Sequence, residues 1–129
     1  MVNFENLKLV ALGNPLLDMQ VRDGQDVLQK YGLKPNDAVL ASPEQLSIYE
    51  HLVENYQVTY VAGGAAQNTA RCAQYALPEG STAYLGCVGN DDLAQQLRAA
   101  NEREGLQSVY QVVNDTPTGS CAVVITGHD

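Results

Sequence analysis

The sequence has no tryptophan and a single phenylalanine among its 129 residues. Its core must therefore be built from aliphatic side chains and some of its seven tyrosines. Positive charge is scarce as well: seven lysines and arginines face fifteen aspartates and glutamates, for a formal net charge of −8. The few basic residues are scattered, which excludes a nonspecific grip on nucleic acid or an anionic membrane, since both need concentrated positive charge. No run approaches the roughly 20 apolar residues that span a bilayer. The opening MVNFENLKLVALGN carries Glu5 and Asn6 where a secretory signal needs an uninterrupted apolar stretch. The two histidines, His51 and His128, have no ligand-spaced partner, so neither is assigned chemistry, and no Ser/His/Asp or Cys/His set can be assembled. Cys72, Cys87 and Cys121 are odd in number, far apart and set among small or apolar residues. They read as reduced, buried thiols of an intracellular protein, not as a disulfide scaffold or a zinc site.

Apolar residues make up 45% of the chain and charged ones 17%, a balance that folds around a core. The length suits one ordinary domain. Leu7 to Leu12 is a short apolar run, expected as a buried strand and stopped by Gly13-Asn14-Pro15. Leu17 to Val21 alternates as a half-exposed strand ending at Asp23-Gly24, and Asp26 to Tyr31 predicts a short helix with Gly32 at its C-terminal end. Ala38 to Leu40 is expected as another small strand. Ser42, Pro43 and Gln45 form a helix-start signature, and Leu46, Tyr49, Val53 and Tyr56 predict the buried stripe of the helix that follows. Further strands are expected at Val58 to Val61, Thr82 to Val88, Val109 to Val113 and Thr118 to Thr126. Helices are expected at Ala65 to Ala76 and at about Leu93 to Glu104. The alternation of helical and strand periods predicts an α/β class with a partly parallel sheet. The last strand runs out at Gly127, His128 and Asp129 without a return partner, so the chain is expected to be the N-terminal portion of a longer protein.

Three segments carry candidate chemistry. Gly63-Gly64 lies between a strand and a helix, where two glycines permit a tight turn and close backbone approach to a ligand. Asn68, about one turn into the helix, can both donate and accept, which suits a sugar hydroxyl better than a bare phosphate. The same segment also reads as a close-packed turn with Asn68 as a cap or core polar residue. It matches neither the dinucleotide fingerprint nor the phosphate-binding loop. Asn14 and Asp18 follow the first strand, near the carboxyl end of a parallel sheet where small ligands commonly bind. Asp18, ionised, could accept hydrogen bonds from two adjacent hydroxyls, and both residues also fit ordinary turn chemistry. Asn114 to Cys121 reads by itself as a structural turn before a strand. Asn90-Asp91-Asp92 reads as capping and helix-dipole stabilisation, not as a metal site.

Taken together, Gly13-Asn14-Pro15-Leu16-Leu17-Asp18, Leu33-Lys34-Pro35-Asn36-Asp37, Ala62-Gly63-Gly64-Ala65-Ala66-Gln67-Asn68, Leu85-Gly86-Cys87-Val88-Gly89 and Thr116-Pro117-Thr118-Gly119-Ser120-Cys121-Ala122 resemble the adenosine kinases. These are a branch of the ribokinase-like (PfkB) carbohydrate kinase superfamily. The resemblance implies a layered α/β domain with a small β lid, of which residues 1–129 would be the N-terminal part. The lid segments would fall at about 17–22, 58–61 and 118–126. It implies ATP-dependent phosphorylation of the 5′-hydroxyl of adenosine, giving AMP and ADP in purine salvage, with Mg2+ as cofactor. Asp18 would bind the ribose 2′ and 3′ hydroxyls, assisted by Gly64 and Asn68, with Gly63 and Asn14 in the same pocket. Leu16, Leu40 and Cys121 would be adenine-side or lid contacts. The family's Gly-Ala-Gly-Asp anion hole and catalytic base would lie beyond this chain, as would most of the ATP site, so residues 1–129 alone are expected to be inactive. Ala65 stands where serine can occur, which removes a side-chain hydrogen bond and leaves the backbone contacts. The implied protein is monomeric and cytoplasmic, with the nucleus as a second compartment. The alternatives are another ribokinase-like sugar or nucleoside kinase, or a non-catalytic nucleoside-binding fragment.

Overall fold

The computed structural model describes residues 5–127, so His128 and Asp129 lie outside the described residues. The elements run β1 (Leu9–Leu12), β2 (Leu16–Arg22), α1 (Gln25–Lys30), a 3-10 turn (Pro43–Gln45), α2 (Ile48–Asn55), β3 (Thr59–Gly63), α3 (Ala65–Ala76), β4 (Thr82–Gly89), α4 (Asp92–Arg103), β5 (Gln107–Val113) and β6 (Ser120–Ile125). They make two three-stranded sheets, ordered β1-β4-β5 and β3-β2-β6. In the first, β4 pairs parallel to both neighbours, with Leu9 opposite Thr82 and Ala83 opposite Gln107. This is the parallel α/β class read from the alternating periods. Among the described residues no helix is long and apolar enough to cross a membrane.

The chain divides into two compact units. The described residues of the first are 5–18 and Tyr60–Cys121. Its core has two clusters: Leu17, Ala62, Val88, Ala94, Leu97 and Ala100, and the set Ala70, Tyr84 and Leu106 with Leu9, Ala11 and Ala66 against it. Alanines on α3 let that helix approach β1 and β4 closely, as the small-residue pattern predicts. β1 departs from its expected burial. It is an edge strand, and while Leu9 and Ala11 face α3, Val10 and Leu12 are 59% and 75% exposed.

The second unit comprises Met19–Thr59 and residues 122–127. Its core is Val21, Val27, Ile48 and Leu52, flanked by tyrosines 31, 49 and 56. Here two expectations are corrected. Residues 38–40 form no strand, and Leu40 is 99% exposed. The helix-start signature at Ser42 is real, since the Ser42 N–H donates to Gln45 Oε1 at 3.0 Å, but it opens only the 3-10 turn. The α-helix starts afresh at Ile48, which rotates the buried face onto Ile48 and Leu52 and leaves Leu46 and Val53 more than half exposed. His51 sits on that helix with Lys30 Nζ 3.1 Å from its Nδ1 and tyrosine rings 31 and 56 beside it.

The thiols also differ from expectation. None of the three cysteines is in a disulfide, but Cys72 and Cys87 are exposed and Cys121 is half-buried. A small neighbourhood in sequence does not bury a residue that its element turns outward: Cys72 occupies the solvent side of α3, and Cys87 lies near the carboxyl end of β4.

Candidate nucleoside site

The carboxyl ends of β1 and β3 place the predicted residues in the first unit. Leu16 and Asp18 alternate with the buried Leu17 on β2 and so share its half-buried face. Asn14 lies in the exposed turn before that strand. The segment Gly13-Asn14-Pro15-Leu16 is seated among glycines that have no room for a side chain. A β-carbon on Gly13 would stand 2.7 Å from Ala66 Cβ, one on Gly86 2.8 Å from Pro15 Cδ, and one on Gly119 2.7 Å from Leu16 Cδ2.

The glycine pair does two different jobs. At Gly63 a β-carbon would fall 2.6 Å from Asp18 Oδ2, so the carboxylate rests on the bare Cα. At Gly64, where φ is +92°, a β-carbon would fall 2.5 Å from the Asn14 carbonyl oxygen. Left-handed backbone and close approach both exclude a side chain there. Gly64 then serves as N-cap of α3, and its carbonyl accepts from the Asn68 N–H at 2.8 Å.

Burial pushes the Asp18 carboxyl above its ordinary pKa, and the positive charge of Arg71 pulls it back part of the way. The thiol of Cys121 is raised by burial and by the negative charge of Asp18. Asn68 is exposed on α3, and its Oδ1 accepts from Arg71 Nη1 at 3.0 Å. The structure thus gathers Asn14, Leu16, Asp18, Gly63, Gly64, Asn68 and Cys121 into one compact unit, whereas Leu40 belongs to the other. An open cleft of about 820 Å³ adjoins Gly13 and Asn14 at the carboxyl ends of β1 and β4, with Gly86 and Cys87 on its wall.

Residues that the sequence reading passed over hold this arrangement. Gln67 is fully buried, and its Nε2 donates to the Gly63 carbonyl at 2.8 Å. Its Oε1 accepts from Asn101 Nδ2 at 3.1 Å and from the Tyr110 hydroxyl. Asn101 Nδ2 also reaches Ser108 Oγ at 2.9 Å and the Tyr110 oxygen at 2.7 Å. Burial pushes the Tyr110 phenol up to about 12, so it stays a neutral donor within the network. Asp91 fulfils its expected capping role, accepting from the Ala94 N–H at 2.9 Å. It also accepts from the Thr118 N–H at 2.8 Å and the Thr118 hydroxyl at 2.6 Å. Among the described residues no group of three or more His, Cys, Asp or Glu side chains could hold a metal ion.

The pfkB family carbohydrate kinase profile matches residues 26–129. The chain is 62% identical over 122 residues to the adenosine kinase of Schizophyllum commune, covering 95% of this chain and 36% of that protein. It also resembles the solved adenosine kinase of Anopheles gambiae in complex with di(adenosine-5) tetraphosphate, with a TM-score of 0.82 and 42% identity over 92% of this chain and 36% of that one. The apo adenosine kinase of Trypanosoma brucei brucei aligns with a TM-score of 0.87 and 34% identity, over 95% and 38% of the two chains. The chain therefore spans about a third of the length of the relatives it matches.

Proposed function

The chain belongs to the pfkB family of carbohydrate kinases, and from that premise we propose that it is the nucleoside-binding N-terminal portion of an adenosine kinase. The enzyme would transfer the γ-phosphoryl group of ATP to the 5′-hydroxyl of adenosine. The observation that carries this reading is the Asp18 carboxylate resting on the bare Cα of Gly63, in the same compact unit as the donor-bearing Asn68. A half-buried carboxylate presents two acceptor oxygens, which match the two hydrogens of a vicinal diol.

On this reading Asp18 anchors the 2′ and 3′ hydroxyls, Asn68 and Gly64 assist, and Asn14 shares the pocket. Leu16, Leu40 and Cys121 contribute apolar contacts on the adenine or lid side. Asp18 holds substrate and does not remove the 5′ proton, because a base must come within about 2.6–3.2 Å of the reacting hydroxyl. The segments at about 17–22, 58–61 and 118–126 would form the lid, whose closure would exclude water as a competing acceptor. The mosquito relative was solved with a ligand that joins adenosine to phosphates, which supports ATP and adenosine as the partners. Mg2+ would neutralise phosphate charge in such a reaction. Among the described residues no His, Cys, Asp or Glu cluster fits it. The protein would act as a monomer in the cytoplasm, with the nucleus as a second compartment.

Phosphorylation of adenosine, inosine, guanosine and ribose by the full-length protein tests the reading. Adenosine is expected to be turned over fastest. Strong turnover of ribose with none of adenosine would instead make the protein a sugar kinase of the same family.

A further inference from the structure

Arg71 holds the bonds that surround Asn68. Its Nε and Nη2 grip both carboxylate oxygens of Glu104, each at 2.6 Å. Glu104 follows the last turn of α4, so this grip fixes the plane of the guanidinium from a neighbouring helix. On the other side Nη1 donates to the Ala62 carbonyl at 2.5 Å and to Asn68 Oδ1 at 3.0 Å, which uses both of its hydrogens. The side chain is only 22% exposed.

The chemistry of the contact decides which end of Asn68 is presented. A guanidinium has donors and no acceptor, so the amide atom facing it must be oxygen; the flipped amide would set N–H against N–H. The amide nitrogen is left for the open side of the residue.

We propose that Arg71 is the positioning residue of the nucleoside subsite: it holds Asn68 by its carbonyl oxygen and so presents Nδ2 as the donor to a ribose hydroxyl oxygen. The inference rests on the nucleoside reading given above. A sugar hydroxyl both donates and accepts, and the pair Asp18 and Asn68 then offers an acceptor and an obligatory donor. The charge of Arg71 also favours the ionised form of Asp18 that the diol needs. Lysine could not replace it. An ammonium lacks the planar fork that grips Glu104 bidentately while keeping two further donors in fixed directions.

The test is a double-mutant cycle in the full-length protein with R71K, N68A and R71K/N68A, read as KM and kcat for adenosine, with thermal melts alongside. R71K is expected to raise KM about tenfold with kcat within about twofold, the size of one lost hydrogen bond between the Asn68 amide and a ribose hydroxyl. The double variant should be no worse than N68A alone, because Arg71 acts through Asn68. KM effects that multiply independently, or an unchanged KM in R71K, would overturn the proposal. A purely structural role would lower the melting temperature and leave the two effects uncoupled. Should R71K fail to fold, E104Q replaces it in the same cycle, since it loosens the guanidinium plane and keeps the arginine. A protein active on ribose but not adenosine defeats the nucleoside reading alone, and coupling measured on the ribose KM then decides for or against Arg71.

Discussion

The Asp18 carboxylate lies against the α-carbon of Gly63, so closely that a methyl group there would stand 2.6 Å from Oδ2 and 2.7 Å from Oδ1. Gly63→Ala must therefore push the carboxylate out of place. Gly63 itself needs no left-handed backbone, so the damage should concentrate in the site. On the proposed function, kcat/KM for adenosine should fall by about 2–4 kcal/mol, the cost of misplacing a charged hydrogen-bonding group in a closed site. Kinetics and thermal melting of the variant check this. Activity equal to the parent's would show that Asp18 does not need its present position.

Asp18 itself should trade stability for binding. Burial raises its pKa above the ordinary carboxylate value, with Arg71 opposing. A raised folded-state pKa means that the folded protein takes up the proton first as pH falls. The contribution of Asp18 to stability is therefore full below its unfolded pKa of about 3.9 and is lost as pH rises through the higher folded value. At neutral pH the ionised group costs stability. Asp18→Asn should accordingly be more stable than the parent at pH 7, with the gain vanishing in acid, while adenosine affinity falls by about 2–4 kcal/mol. Urea titrations across pH and calorimetry with adenosine measure the two halves. An unchanged affinity would place Asp18 outside the pocket.

The thiols should differ in reactivity. Cys72 and Cys87 are exposed, whereas Cys121 is half-buried and its thiol pKa is raised by burial and by Asp18. The thiolate is the reacting form, so Cys121 should be modified last by an aromatic disulfide reagent at neutral pH. As a residue of the proposed nucleoside pocket, it should be slowed further by adenosine, while Cys72 on the solvent side of α3 should be unaffected. Denatured protein without reductant should give three thiols. Recovery of one would reveal an internal pair.

Local patterns made the scaffold legible. Gly63-Gly64 announced a tight strand-to-helix turn, the alanines of α3 announced close packing, and Asp91 announced a cap; each signal lies within a few residues of its effect. The failures are just as physical. A continuous helix from Ser42 would bury Leu46 and Val53, but the restart at Ile48 shifts the phase of the stripe. Val39 and Leu40 have strand-like side chains but no neighbouring strand to pair with. Arg71 and Gln67 were invisible because their partners Glu104 and Asn101 come 33 and 34 residues later, a distance that only the packing of α3 beside α4 removes. A polar residue at an inward helical position, such as Gln67 between Ala66 and Ala70, was the one available hint. It says that a partner exists and not which one.

Asp91 should matter to stability more than its place at a helix end suggests. As N-cap of α4 it accepts from the Ala94 N–H, and the same carboxylate takes the N–H and hydroxyl of the buried Thr118. Thr118 Oγ1 in turn accepts from the Gly89 N–H at 2.9 Å, so one carboxylate ties together the end of β4, the start of α4 and the turn before β6. Asp91→Ala removes a cap, for about 1 kcal/mol, and leaves buried Thr118 donors unpaired, for about 1–3 more. Asp91→Asn should recover only part of this, because turning its oxygen to Ala94 and the Thr118 hydroxyl sets its amide N–H against the Thr118 N–H. Burial would raise the Asp91 pKa, but the hydrogen bonds from Thr118 and Ala94 together hold it below the ordinary value. A depressed folded-state pKa places this stabilisation above the unfolded value of about 3.9, and it is lost as pH falls through the folded one. The stability gap between parent and Asp91→Ala should therefore be flat from pH 5 to 8 and close in stronger acid, as followed by urea unfolding at a series of pH values. A gap that widens on acidification, or an asparagine variant as stable as the parent, would mean that the ionised carboxylate is not what joins these three segments.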